Sequence, residues 1–301
     1  MAHDDGLFCM DFGGSIDLAT TLQCGQAFRW KRTTSLQVPG TLIAFKGVVS
    51  SWGIVIGQEE PGSPRLYVQY DSSFVKRERL EKAIREYLAE DDDLCFISRR
   101  LGATDKVMAQ AVEYGAGLRV LIQEPWECLA SYIISANNSI PNVARVVSSL
   151  SRRYGEPCGL GEYTFPRPEV LSACSCEDIR LSKCGYRDRF LVDAATKIAS
   201  GEVRLGEIRK MPLSEARREL MRIDGVGPKV ADCVLLFAYH RLEVFPVDVW
   251  IARAVSHFYM DGVAIAPGAA RAFGMERFGD LAGYAQEYLF HYARGVLSKE
   301  R

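Results

Sequence analysis

Three observations predict an α+β protein, with a small twisted antiparallel sheet ahead of a helical body. Short β-branched or aromatic runs separated by Gly and Pro crowd residues 15–70. After Ala103 no long strand pattern recurs, and apolar residues repeat at helical spacing instead. Between residues 220 and 250, two such helical segments are joined by a glycine turn.

Taken in order, residues 28–30, 41–49, 52–56 and 66–70 read as strands, punctuated by Gly40, Gly47, Gly53 and a Pro/Gly/Ser cluster at 61–64. Such spacing favours antiparallel hairpins. Residues 74–88 turn helical, with Leu80, Ile84 and Leu88 on one stripe. The expected division is 1–103, a sheet domain with a packed helix, and 104–301, a helical domain. In the second domain, helices are expected at 107–118 (ending at Gly115 or Gly117), 125–136, 142–154, 177–182 and 186–200. The helix-hairpin-helix should occupy about 214–240, followed by helices at 249–258, 267–278 and 281–297.

The chain has 301 residues, of which 48% are hydrophobic, enough for two packed cores. Its 37 basic and 38 acidic side chains leave a net charge of -1, so any nucleic-acid surface must be local. Seven Lys/Arg against four acids between 204 and 229 give such a local excess, although a mixed-charge helix face fits them too. No segment is apolar enough to span a membrane, and residues 1–12 carry no signal-peptide pattern. Nine cysteines without secretory context read as reduced thiols, and the expected location is inside the cell. Cys174, Cys176 and Cys184 lack a second pair and a nearby histidine, so no metal is expected there. All nine lie before residue 234, leaving no C-terminal thiolate set for an iron–sulfur cluster.

Within the hairpin, Leu220 and Ile223 close one helix, and Val230, Val234, Phe237 and Ala238 mark one buried face of the next. Gly225 and Gly227 can take positive φ, and Pro228 suits the first position of a helix. The N–H groups that open the second helix can bind a phosphate, while an ordinary αα-hairpin fits the same spacing. Lys229 stands in that first turn, where the helix macrodipole disfavours an ammonium and helps a neutral amine. Asp248 precedes an apolar segment and reads as its N-cap. Together they suggest an amine nucleophile with an acid–base partner, against a phosphate-binding lysine and a structural cap.

Three other stretches can carry chemistry. Asn137 and Asn138 end a helix as a C-cap or as a polar finger at a surface. Tyr186 between Arg187 and Arg189 is either a stacking aromatic or a plain helix start. Gln286 and Phe290 share a helix face.

These stretches closely resemble the helix-hairpin-helix DNA glycosylases that close with a Gly/Pro-rich loop and an aspartate. One branch matches best, the 8-oxoguanine DNA glycosylase/lyases. The match rests on Gly25-Gln26-Ala27-Phe28-Arg29-Trp30, Ser135-Ala136-Asn137-Asn138, Gly185-Tyr186-Arg187, Lys229-Val230-Ala231-Asp232-Cys233 and Ala282-Gly283-Tyr284-Ala285-Gln286 with Leu289-Phe290. The resemblance implies a base-excision repair enzyme that acts on double-stranded DNA containing oxidised guanine, flips the base out and nicks the strand. It implies catalytic roles for Lys229 and Asp248, and a base pocket made by Gly25, Cys233, Gln286 and Phe290. Asn137 would fill the vacated space, Tyr186 would wedge beside it and Arg187 would contact the estranged base. Gly225, Val226 and Gly227 would hold the DNA backbone. Carbonyls of Met221, Ile223 and Val226 would hold a structural monovalent or divalent cation; no other cofactor is implied, and a monomer is expected.

Three positions depart from the family pattern. Ala27 replaces a serine, Asn142 stands where relatives that require cytosine opposite the lesion have arginine, and Trp250 replaces a phosphate-contacting histidine. Two alternatives stand beside this reading: a non-catalytic module that recognises damage or duplex shape, and an alkylated-base glycosylase of the same superfamily. Lys229 and the Gly25/Gln286/Phe290 pocket count against the second.

Overall fold

The structure, a computed structural model, describes residues 5–36, 38, 40, 41 and 43–297. A five-stranded antiparallel sheet opens the chain: β1 (Asp5–Asp11), β2 (Lys31–Arg32), β3 (Ile43–Val49), β4 (Trp52–Gln58) and β5 (Arg65–Asp71), in the order β1-β5-β4-β3-β2. β4 pairs Ile54 with Tyr70 and Ile56 with Val68 on one side, and Phe45 with Ile56 on the other. Strand alternation sends Ile54, Ile56, Phe45 and Val68 to one face, where Leu80 and Ile84 of α2 (Arg77–Tyr87) cover them. Val55 and Ala44 point to the opposite face and meet Leu36.

Several strand expectations need correction. Residues 15–70 are not all strand, because α1 (Leu18–Gln23) lies among them, capped by Asp17, whose side chain accepts the Thr20 N–H. β1 is a strand the sequence reading passed over; it pairs with β5 in the register Phe8↔Val68. Residues 28–30 form no strand because each side chain is pinned elsewhere. Phe28 packs on Tyr132, Arg29 pairs with Glu127 at 3.5 Å, and the Trp30 indole donates to the Tyr87 hydroxyl at 2.8 Å. The strand expected over 41–49 begins at Ile43, with Leu42 outside the described residues.

The helical body continues through α3 (Leu94–Gly102), α4 (Lys106–Tyr114), α5 (Pro125–Ser135), α6 (Ile140–Tyr154), α7 (Pro168–Ser172) and α8 (Cys176–Arg180). Then come α9 (Asp188–Ala199), α10 (Leu205–Ile208), α11 (Leu213–Leu220), α12 (Pro228–Tyr239), α13 (Val249–Tyr259), α14 (Pro267–Phe278) and α15 (Ala282–Val296). α1, α3, α7 and α10 were not expected. α7 and α10 are too short for periodicity to reveal, and α3 follows an acidic run whose last member, Asp93, caps it by accepting the Phe96 N–H. None of the described helices is long and apolar enough to cross a membrane.

α12 is the central helix. The sequence suggested one buried face, yet every residue from Val230 to Tyr239 is buried. Tyr132 of α5 stacks on Phe237 with ring centroids 5.5 Å apart, while α11 and α15 close other sides. The sheet and helical cores interlock, since Cys24 and Phe28 belong to the helical core and Leu121 to the sheet core.

Candidate active site

A cavity of about 110 Å³ opens between α5, α6, α12, α15, the 246–248 loop and the segment after α1. Lys229, Asp248, Gly25, Cys233, Gln286 and Phe290, drawn from across the chain, all line it. Gly225 leads into α12 and Asp248 into α13, so each catalytic candidate sits at a helix start, held by backbone geometry.

Lys229 is the second residue of α12, after Pro228 at the first position. Its Nζ lies 3.4 Å from Ser135 Oγ and 4.9 Å from the centre of the Tyr132 ring. Tyr132 is fixed in turn, its hydroxyl donating to the Gln26 carbonyl at 3.1 Å. Asp248 is the N-cap of α13, with Oδ1 accepting the Ile251 N–H at 2.8 Å. The cap aims the carboxylate into the cavity that Lys229 lines.

The base-recognition candidates surround this pair. Gly25 adopts φ +116°, and a Cβ there would come within 2.7 Å of Ile140 Cδ1 and 3.5 Å of Phe290 Cε1. The next residue anchors it: buried Gln26 donates to the carbonyls of Thr21 and Arg119 and accepts the Leu121 N–H. Burial pushes the Cys233 thiol up to about 12, making it a neutral, polarisable surface and no nucleophile. The Gln286 amide oxygen is buried and has no hydrogen-bond partner among the described residues. Such an orphan acceptor costs free energy until a ligand donor meets it.

The polar finger lies beside the cavity mouth. Asn137 is exposed in the left-handed region at φ +50°. Arg187 is buried, and its guanidinium donates to the carbonyls of Ala136 at 2.9 Å, Asn137 at 2.9 Å and Cys184 at 3.1 Å. Its donors are therefore largely committed to holding the finger. Tyr186 is half-exposed, with one ring face covered by the Arg187 guanidinium at 4.5 Å. Asn142 donates to the Asn138 side chain at 2.6 Å and accepts from Arg145.

The hairpin departs from expectation at two residues. Gly225 takes φ +81°, and a Cβ there would strike the Phe190 ring at 2.6 Å. Gly227 does not take positive φ. It is the N-cap of α12 at φ -93°, extended because a residue entering a helix must be, with open space where a Cβ would stand. The Val226 N–H is already donated to the Ile223 carbonyl at 3.1 Å, so Val226 has no free donor for phosphate. Of the three carbonyls suggested for a cation, that of Ile223 is thus half used. The basic residues nearby are largely paired, Arg222 with Glu219 and Glu202, and Lys197 with Asp193. Trp250 packs on Ala254, Ala293 and Leu297, with Arg253 over its ring at 5.3 Å.

Comparison with known proteins fits this geometry. Residues 13–129 match the family model for the N-terminal domain of 8-oxoguanine DNA glycosylase. The N-glycosylase/DNA lyase of Saccharomyces cerevisiae is 31% identical over 258 residues, covering 80% of this chain and 68% of the yeast protein. MBOgg1 in complex with a low-affinity DNA ligand superposes with a TM-score of 0.88 at 33% identity, covering 98% of this chain and 99% of that one. The chain belongs to the 8-oxoguanine DNA glycosylase family. A family member from Clostridium acetobutylicum, solved with double-stranded DNA containing cytosine opposite 8-oxoguanine, has a TM-score of 0.83 at 32% identity, with 94% and 93% coverage.

Within this glycosylase pocket, sequence reasoning missed several residues. Ser135 and Tyr132 flank the lysine amine; Ser135 stood in a matching stretch but drew no role, and Tyr132 lacked any local signal, because an apolar helix hides which of its faces meets a cavity. Glu287 lines the cavity, and the Sγ of buried Cys24 lies 3.6 Å from its Oε2. Glu287 did leave a signal, as the one charged residue in the run 281–290, where Gln286 is the only other non-aromatic polar side chain.

Proposed function

We propose that this chain removes 8-oxoguanine from duplex DNA and then cleaves the resulting abasic site, with Lys229 as nucleophile and Asp248 as its partner. The observation that carries the assignment of residues is the meeting of an amine, a carboxylate and an orphaned buried amide acceptor in one cavity.

The target base must leave the stack before its glycosidic carbon can be reached. Gly25 offers its carbonyl to the N7–H that distinguishes the oxidised purine, whereas guanine presents a lone pair there. The mismatch leaves a buried group unpaired and costs ~1–3 kcal/mol. Gln286 takes the Watson–Crick edge, satisfying its free oxygen, and Phe290 and the Cys233 sulfur sandwich the ring. Asn137 fills the space left in the helix, with Tyr186 wedged beside it. Arg187 faces the estranged base and, in its present bonds, also shapes the finger. Gly225 and Gly227 bring the backbone close to DNA phosphates, while Val226, whose N–H is donated to the Ile223 carbonyl, adds no donor there.

Chemistry then proceeds in two stages. The Lys229 amine attacks C1′ while the C1′–N9 bond breaks, and the base leaves with the bonding electrons and takes up a proton. Asp248 stabilises the positive charge on the sugar and helps move the proton from the amine. The sugar ring opens to a Schiff base, which acidifies the C2′ hydrogen. Loss of that proton expels the 3′ phosphate and nicks the strand. None of these steps needs a bound cofactor; we assign the hairpin carbonyls of Met221, Ile223 and Val226 a structural cation only. In EDTA, single-turnover excision at saturating protein should therefore keep its rate even where DNA binding weakens, while a lower rate at saturation would overturn the purely structural assignment.

The lysine mechanism is tested with duplex carrying one 8-oxoguanine, incubated with the protein and sodium borohydride. A covalent adduct is expected with the wild type and none with Lys229→Gln. An active wild type without an adduct, or an adduct that survives the substitution, rules the mechanism out. Preferential release of alkylated purines would move the substrate, and binding without release would make the chain a recognition module.

A further inference from the structure

Glu287 is an acidic side chain in the base pocket to which the mechanism above gives no task. The residue is 3% exposed, sits on α15 directly after Gln286, and lines the cavity. Three and seven residues on, Phe290 and Arg294 lie on the same helix face. That face grips one residue, Cys24, from two sides. The Cys24 Sγ lies 3.6 Å from Glu287 Oε2 and 3.4 Å from the Thr21 carbonyl, the two acceptors for its one proton, and Arg294 Nη1 donates to the Cys24 carbonyl at 2.9 Å. Arg294 also lies over the Phe290 ring at 5.2 Å. Cys24 precedes Gly25, whose φ of +116° has no side chain of its own to hold it.

We infer that Glu287 is a positioning residue for excision of the oxidised base: with Arg294 it clamps Cys24 and thereby fixes Gly25 in the pocket wall. The inference rests on the proposed glycosylase/lyase function, because Gly25 matters only where a base is read. Cleavage of a pre-formed abasic site uses Lys229 and Asp248 with no base to recognise, so it should depend on the clamp far less.

The charged surroundings make the clamp sensitive to pH. Glu287 faces Cys24 from the end of α1, Asp248 from the start of α13 and Arg294 from its own helix, and it is felt by Cys233 of α12 and Tyr132 of α5. Lys229 shares the cavity. Burial raises the thiols of Cys24 and Cys233 and the Tyr132 hydroxyl, so these stay neutral and Cys24 is the donor in its bond to Glu287. Burial first, and then Asp248, push the Glu287 carboxyl up to about 7, against the hydrogen bond from Cys24, the Arg294 charge and a hydrogen bond from the Gln286 side chain. A carboxylate accepts the thiol proton more strongly than a carboxylic acid does, so the clamp tightens as Glu287 ionises.

The experiment compares single-turnover excision of 8-oxoguanine with cleavage of a pre-formed abasic site between about pH 5 and about pH 9, where both limbs of such profiles can be read. Wild type, Glu287→Gln, Glu287→Ala, Cys24→Ala and the Glu287→Gln/Cys24→Ala double variant are measured. Wild-type excision should rise through about pH 7 by an ionisation that abasic-site cleavage lacks, and Glu287→Gln should remove that rise. In Glu287→Ala and Cys24→Ala the ratio of excision to abasic-site cleavage should fall on the order of ten- to a hundredfold, as for a misplaced contact. The double variant should be no worse than the poorer single one, the mark of groups acting through each other. If Glu287→Ala fails to fold, Glu287→Gln and the cycle with Cys24→Ala carry the test. Parallel loss of both activities, an unchanged pH profile in Glu287→Gln, or additive losses in the double variant overturn the inference. A wild type that cleaves abasic sites but leaves 8-oxoguanine in place overturns the proposed substrate instead.

Discussion

Gly25 shows how little room the pocket wall leaves. An alanine there would strain the backbone at φ +116° by about 1–3 kcal/mol and press on Ile140 and Phe290. Gly25→Ala should lower excision on the order of a hundredfold in a single-turnover assay and spare abasic-site cleavage by comparison. Glu287 leads to a second prediction, about stability. Its folded-state value of about 7 lies above that of an unfolded glutamate, so the stability given by the neutral form is complete below about pH 4 and lost as pH rises through about 7. Glu287→Gln should therefore raise the melting temperature relative to wild type at about pH 8 and change it little at about pH 4. An equal shift at both pH values would show that Glu287 does not titrate in the fold. The residue that tunes the pocket then weakens the protein in its ionised form. The sequence carried the placing of Lys229 in a first turn and of Asp248 as an N-cap, because position in a helix start is local information. It could not carry the place of Ser135 or Tyr132 beside the lysine amine, which depends on which helix α5 faces.

At the scale of elements, α12 is joined to its neighbours by charge as well as packing. Asp232 is fully buried and pairs with Arg217 of α11 at 2.7 Å, with Arg271 of α14 at 3.7 Å. Burial raises its carboxyl, and the two guanidinium groups oppose that. Asp232→Ala would leave Arg217 facing an apolar core and should cost about 3–5 kcal/mol, read from urea unfolding. Asp248 permits a cleaner separation of cap from chemistry. Asparagine is as good an N-cap as aspartate, so Asp248→Asn should keep the melting temperature while excision collapses. Asp248→Ala should lose activity and also about 1 kcal/mol of stability. If the asparagine variant stays active, the carboxylate is only a cap. Long helices with clear stripes, such as α6 with Val143, Val146, Val147 and Leu150 buried, were legible from their pattern alone. α12 misled by one face, since a helix buried all round has no polar face to contrast with its apolar one.

At the scale of the molecule, the α+β plan could be read because each half has its own period. The fusion of the two halves could not, since it depends on contacts such as that of Phe28 with Tyr132 and of Gln26 with Leu121. β1 is a similar case: its partner β5 lies some sixty residues later, and an edge strand with exposed Leu7 gives a weak alternation. The pocket itself joins residue 25 to residue 290, which motif resemblance could suggest and local pattern could not. The finger at Asn137 has a consequence for how such a molecule inspects DNA. Arg187 already ties its carbonyls in place, so no loop has to order itself afresh at every base pair. Under the proposed function, a finger already tied in place adds no ordering cost to each encounter with DNA.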